Sequence, residues 1–263
     1  MYADDKDLAS MDIYIKRNIY RVSGNDRELL SDPIALEKRL VLRINGTEVL
    51  AMYCSPVMIK ELVTGFIMTE GVIRGSWCVD KMLIKYGDNI EVDIEAEGEV
   101  VLEGKAVTSG CIGGITTKKT FGEKLNIGNF KIDGDSIRRL FNEFQHRSAS
   151  YNLTGCIHSA AISDGKEILV MTEDIGRHNA VDKAIGHCII NDIALDDKLM
   201  LLSGRLSSEI GSKCGKWQIP VVASRTAPTV LSVEIADALG ITMIGFIRGN
   251  RFNIYTHPER ISK

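Results

Sequence analysis

From residue 134 onward the chain switches regularly between short apolar runs and longer amphipathic ones, and few architectures accept that pattern. Strand-like runs at 199–202, 221–224 and 241–247 alternate with helix-like ones at 180–190, 207–217 and 230–239. Each interval is too long for a hairpin and the right length for a helix that crosses over a sheet, so the runs read as parallel strands with helices packed on them. Ahead of them, a helix carrying Ile137, Leu140, Phe141 and Phe144 leads into a hairpin, 157–162 with 167–171, turned by Asp164-Gly165. The fold class is α/β.

The first half is β-rich with one good helix. Asn45-Gly46 between two apolar alternating runs is a strong hairpin signal. Ser55-Pro56 then offers a cap and a first-turn proline, and Leu62, Phe66, Ile67 and Glu70 continue the helix to Gly71. Strand-like sequence follows at 82–85, 90–94 and 100–102, and the polar, glycine-containing stretch 108–129 reads as a flexible loop and interdomain connection. The expected organisation is a tail at 1–12, a small β-rich α/β domain at 13–133 and a larger α/β domain at 134–263.

A composition of 44% apolar and 25% charged residues suits a soluble globular chain with a real core. The formal charge of −3 supplies no global attraction to nucleic acid or anionic membrane, so any anion site has to be local. The opening MYADDKDLAS lacks the basic start and apolar stretch of a signal peptide, and apolar runs such as LMLL fall far short of a membrane span. A cytoplasmic location is expected. The six cysteines show no zinc-ribbon spacing, so neither a metal site nor disulfides are expected.

Three polar groups follow the strand-like runs: Ser203-Gly204-Arg205, Ser224-Arg225-Thr226, and Phe246-Ile247-Arg248-Gly249-Asn250-Arg251. Ligands bind at the carboxyl ends of strands in open α/β sheets, and helix N-termini there favour anions; small residues with arginine fit a phosphate-bearing ligand. Taken singly, each group also reads as a turn with a solvated arginine. The densest polar stretch runs from Glu173 through Arg177, His178 and Asn179 to Lys183. His178 is a candidate base or ligand contact, oriented by Glu173, Asp174 or Asp182; the alternative is a helix capped by Asn179 among solvated charges. His158 reads as a satisfied core or cleft residue. The segment SGCIGG at 109–114 presents Cys111 between glycines, with Lys118 and Lys119 close in sequence, a setting that favours thiolate.

Together these stretches resemble the formate dehydrogenase accessory protein family, the sulfur carrier FdhD. The likeness runs through NGTEV (45–49), LVTGFIMTEGVI (62–73), EDIGRHNAVDKAIG (173–186), SGRLSSE (203–209), APT (227–229) and GFIRGNRFNIYTHPERI (245–261). It implies a cytidine-deaminase-like α/β/α C-terminal domain with a smaller α/β N-terminal one. It also implies transfer of sulfane sulfur from a cysteine desulfurase to the bis(molybdopterin guanine dinucleotide) molybdenum cofactor, ahead of that cofactor's entry into the formate dehydrogenase catalytic subunit. The family's persulfide cysteine falls on Cys111, and its F-x-R-x-x-R segment on Phe246 to Arg251, where Arg248 and Arg251 meet guanine-nucleotide phosphates. A homodimer is implied as well. One position departs: the family's usual C-x-x-C is here C-I-G-G, with Gly114 in the second place. Two rivals stand beside this reading. A zinc nucleoside deaminase needs H-x-E and P-C-x-x-C, where this chain has His178-Asn-Ala and no C-x-x-C; a cofactor-binding chaperone needs no sulfur transfer.

Overall fold

The computed structural model describes residues 13–101 and 130–262. It begins with a ribbon of β1 (Tyr14–Ser23) and β2 (Asp26–Ala35), turned at Gly24 and largely exposed. Next come β3 (Lys38–Ile44) and β4 (Thr47–Cys54), joined at Asn45 (φ 51°) and Gly46 (φ 77°), both left-handed as a two-residue hairpin requires. Helix α1 (Ile59–Glu70) stops at left-handed Gly71, whose N–H returns to the Ile67 carbonyl. Strands β5 (Ile73–Trp77), β6 (Leu83–Tyr86), β7 (Ile90–Ile94) and β8 (Ala96–Val100) follow. A four-stranded sheet forms in the order β4-β3-β7-β6, and β5 pairs with β8. Leu40, Leu42, Leu62, Phe66, Ile90 and Val92 close the core between α1 and this sheet.

The helix starts later than its sequence suggests. Ser55 does not cap it and Pro56 is not in its first turn; α1 begins at Ile59 after left-handed Met58. Ser55 is engaged elsewhere: its hydroxyl accepts from the Ile175 N–H (3.1 Å), its N–H donates to Asp174 Oδ2 (3.1 Å), and its carbonyl accepts from Lys183 (3.2 Å). Tertiary bonds outcompete the local cap. The third strand-like run is also shifted, since β8 ends at Val100.

In the second half, β9 (Ile132–Asp133) leads into α2 (Gly134–Arg147), capped by the Asp133 side chain on the Ser136 N–H, and then α3 (Ala149–Thr154). Strands β10 (His158–Ser163) and β11 (Ile168–Asp174) form the expected hairpin. Then follow α4 (Arg177–Ile190), β12 (Leu199–Leu202), α5 (Ser208–Lys216), β13 (Val221–Ser224), α6 (Val230–Leu239), β14 (Thr242–Arg248), β15 (Arg251–Ile254) and β16 (Ile261–Ser262), which pairs with β9. The main sheet has the order β11-β10-β12-β13-β14-β15, with β12, β13 and β14 parallel. Alternate residues serve opposite faces: Met200 and Leu202 join the core under α4, α5 and α6, while Leu199 and Leu201 join the core under α2. The result is the α/β/α arrangement expected. No helix among the described residues is long and apolar enough to cross a membrane.

The two halves meet where α1 crosses α4. A Cβ on Gly65 would lie 1.9 Å from the Asp182 carbonyl oxygen, and one on Gly186 would lie 2.0 Å from that of Glu61. Only glycine permits so close a crossing. Two buried charge systems flank it. Lys183 pairs with Asp174 at 2.6 Å, both wholly buried. Lys213 of α5 bonds Asp182 (2.7 Å), Glu70 (2.8 Å) and the Thr69 hydroxyl (2.7 Å). Gly65→Ala forces the helices apart and is expected to cost about 1–3 kcal/mol. Urea unfolding measures the loss; an unchanged midpoint would show that the crossing yields without strain.

Candidate functional site

Because β12, β13 and β14 are parallel, their carboxyl ends lie at one edge of the sheet. The loops leaving them are tied to one another. The Ser224 hydroxyl donates to the Gly204 carbonyl (2.7 Å), and the Leu206 N–H donates to the Ala227 carbonyl (3.2 Å). The Thr229 N–H returns to the Leu206 carbonyl (3.0 Å), and the Phe246 N–H donates to the Thr226 carbonyl (3.1 Å). The three polar groups picked out in the sequence therefore make one continuous edge.

The third group ends β14 and turns back as a hairpin. After Arg248 the chain turns through Gly249 (φ 57°) and Asn250 into β15, with Arg248 opposite Arg251 and the register slipping between Gly245 and Arg248. Phe246, inside that slip, holds φ 54°, a conformation uncommon for a bulky residue and often found where a site imposes it. The Arg248 guanidinium lies 5.7 Å from the Phe246 ring centroid. Arg205, Arg225, Arg248, Gly249, Asn250 and Arg251 are exposed along the edge. Two of the candidates face inward. Ile247 packs in the core under α2, and Ser224 is fully buried, its hydroxyl also accepting from the Thr226 N–H (3.1 Å). Both shape the edge from beneath.

The antiparallel strands bring further groups. β10 begins and β11 ends at this same edge, His158 opposite Asp174. The Ser203 hydroxyl accepts from the Ser159 N–H (2.9 Å) and lies 3.4 Å from His158 Nδ1. Gly204 leaves room for its neighbours: a Cβ there would sit 3.2 Å from Arg177 Cβ and 3.3 Å from His158 Nδ1. Burial, then the neighbouring Arg177 and His178, holds the His158 imidazole below the usual histidine range. His158 thus belongs to the cleft, one of the two places its sequence context allowed.

Helix α4 starts at Arg177 with Gly176 as its cap, three residues before the Asn179 cap considered above. Asn179 lies inside the helix, its amide donating to the Tyr53 carbonyl (3.0 Å) and to Asp174 Oδ1 (2.9 Å). The acids expected to orient His178 have other partners. Glu173 accepts from the Ser148 (2.7 Å) and Ser150 (2.5 Å) hydroxyls, Asp174 pairs with Lys183, and Asp182 with Lys213. His178 is held instead by Glu209 of α5, its Nε2 2.7 Å from Glu209 Oε2. That hydrogen bond is the leading reason the Glu209 carboxyl sits below its ordinary range, with Arg177 contributing. Glu209 reads in the sequence only as a first-turn acid, a favourable but ordinary place for one.

Cys111 and Gly114 lie outside the described residues. Of the described cysteines, burial pushes the thiols of Cys54 and Cys214 up to about 12 and that of Cys188 up to about 11, which keeps them protonated; Cys78 and Cys156 are exposed.

A mixed α/β protein with a glycine-lined, arginine-rich edge at the ends of three parallel strands is the class that fold and site define. Within it, the chain belongs to the FdhD/NarQ family, whose model matches residues 35–262. It is 36% identical over 255 residues to the sulfur carrier protein FdhD of Bacillus subtilis (strain 168), covering 93% of this chain and 96% of that one. It is 37% identical over 242 residues to the sulfur carrier protein FdhD of Geobacillus kaustophilus (strain HTA426), covering 88% and 90%. The crystal structure of a formate dehydrogenase accessory protein from Desulfotalea psychrophila superposes with a TM-score of 0.78 over 95% of this chain and 100% of that one, at 23% identity, which shows the shared fold.

Ser224→Ala removes the donor to the buried Gly204 carbonyl and is expected to cost about 1–3 kcal/mol. Denaturant unfolding checks it; an unshifted midpoint would mean that another donor replaces the hydroxyl.

Proposed function

We propose that this chain is a sulfur carrier for formate dehydrogenase, and that the arginine edge holds the nucleotide arms of the bis(molybdopterin guanine dinucleotide) molybdenum cofactor while sulfur is delivered. The observation that carries this reading is the joining of three strand-end loops into one edge with four exposed arginines, in a chain of this family. Guanidinium groups present paired N–H donors that match phosphate oxygens, and the positive dipole ends of α4 and α5 add to the potential beside them. The cofactor is cargo here, bound and handed on.

Cys111 carries the sulfur in this reading. Its thiolate attacks the outer sulfur of a persulfide on a cysteine desulfurase; the new S–S bond forms on Cys111, the donor's S–S bond breaks, and the donor leaves as a thiolate. A single cysteine suffices for that step, because no other cysteine stands near Cys111 in sequence to close a disulfide and discharge the sulfur early. The two relatives named as sulfur carriers support the role.

Two measurements test it. Replacing both Arg248 and Arg251 by alanine is expected to weaken binding of GDP about tenfold or more and to flatten its salt dependence. Unchanged affinity in calorimetry would move the nucleotide site elsewhere. Cys111→Ser is expected to abolish support of formate dehydrogenase activity in cells while GDP binding persists. Full activity in that variant would favour a cofactor chaperone that moves no sulfur.

A further inference from the structure

The ribbon of β1 and β2 has no core behind it: none of its side chains belongs to, or packs against, the three apolar clusters of the fold. A two-stranded hairpin standing alone is marginal in water, and this one runs for ten residues on each strand, about 33 Å. Ile15 and Ile34, opposite each other near its base, are 39% and 43% exposed. Apolar surface on an arm of this kind is kept where a partner covers it.

The charges of one face select the partner. Strand pairing sets three central rungs there: Arg17 opposite Asp32, Ile19 opposite Leu30, and Arg21 opposite Glu28. The basic residues of that face all stand on β1 and the acidic ones on β2. Among the described residues none of the four rung charges is in an ion pair. A two-fold axis running along the strands lays β1 of each copy over β2 of the other and keeps every rung at its own height. Arg17 then meets the partner's Asp32, Arg21 the partner's Glu28, and Ile19 the partner's Leu30. Stacked sheets cross at about −30°, so the match holds for these central rungs and loosens toward the ends. Other two-fold arrangements centred on the same rung set like on like: an axis across the strands, or antiparallel addition at either edge, brings Arg17 to Arg21 or Asp32 to Glu28. A face with its charges sorted by strand is complementary to itself in one orientation, which is the condition for an isologous contact.

We propose that this ribbon is a self-association surface: two copies of the chain stack the faces that carry Ile19 and Leu30 about a two-fold axis parallel to the strands. The opposite face carries Tyr20, Val22 and Leu29, but its charges, Lys16 and Arg27, are both basic and offer nothing complementary to a second copy. The stacked face measures about 33 Å by about 10 Å, roughly half of the ~800 Å² that each partner gives to a stable interface. Tyr151 and Leu153 of α3, which lies beside β2, are half-exposed and extend the apolar surface. An interface of this size associates in the micromolar range.

Sedimentation velocity on the full chain, from about 1 μM to about 200 μM, reads the association. Wild type is expected to move toward dimer across that range, and a chain that stays monomeric throughout overturns the inference. Two variants each reverse one side of the face: Arg17→Asp with Arg21→Asp, and Glu28→Arg with Asp32→Arg. Alone, each sets like charge on like across the axis, and its Kd should rise about tenfold or more. Mixed in equal amounts, they should form a heterodimer at least as tight as the wild-type dimer, because the acidic face of one meets the basic face of the other. Within each chain the strands carry the same like charges whether mixed or alone, so recovery on mixing separates contact between copies from damage to the ribbon itself. Variants that dimerise as wild type does place the interface elsewhere, and variants that stay monomeric after mixing show that the charges serve only the ribbon's own fold; either result overturns the inference. So does loss of the dimer in Tyr20→Ser with Leu29→Ser alone, which would move the contact to the opposite face.

Discussion

Backbone contact between α1 and α4 governs the rest of the structure. Gly65 and Gly186 let the two helices approach until each carbonyl backbone fills the place of the other's missing side chain. One sheet's core lies behind α1 and the other's behind α4, so this crossing joins two cores that otherwise touch little. The charges around it make the arrangement selective. A buried ion pair returns its desolvation cost only with good geometry and with its remaining hydrogen bonds made. Asp174 meets that condition here, accepting from Lys183, from the Ser55 and Gly176 N–H groups and from Asn179. A shifted crossing leaves Lys183 buried without its partner. The start of α4 is thereby fixed against the sheet, and Arg177 and His178 are the first residues of that helix.

The candidate site inherits its rigidity from this base. Its loops bond to one another through backbone groups and through hydroxyls that are buried beneath them, so the arginines stand on a fixed edge and not on independent turns. Phe246 carries the only left-handed non-glycine backbone among the described candidate residues, and the hydrogen bond from its N–H to Thr226 holds it there. Pre-set donors lose little freedom when a ligand arrives, which favours binding without adding contacts.

What could be read from the sequence follows from how local each signal is. The runs 199–202 and 221–224 were legible to the residue because short all-apolar segments between helices have one reading in a parallel sheet. Helix α6 was equally clear, with Thr229 capping one end and left-handed Gly240 the other. The start of α1 was not, since Ser55 is claimed by Asp174, 119 residues away. The β1–β2 ribbon escaped for a different reason: most of its positions are exposed, so no buried face imposes alternation on the sequence. At the site, strand topology made the three loop groups legible. The contribution of Glu209 depends on a contact between α5 and α4, and no local pattern announces it.

The chain's net charge of −3 does not stand against the anion-binding edge proposed above, because the lysines buried at the helix crossing and the arginines exposed at the edge are kept apart. Lys183 and Lys213 are buried and neutralised by Asp174, Asp182 and Glu70, while the arginines at 205, 225, 248 and 251 are exposed at the edge. The chemistry of the two side chains explains the division. An ammonium is a compact point charge that fits a small buried cage of oxygens, as Lys213 does among Asp182, Glu70 and Thr69. A guanidinium is weakly hydrated and planar, with donors in a fork suited to phosphate, and gives up little solvation to meet one. Exchanging the two types would place a bulky fork in the helix crossing and a strongly hydrated point charge at the edge. Asp174, Asp182 and Glu70 are held by lysine and Glu209 by His178, and the exposed edge is left to arginine.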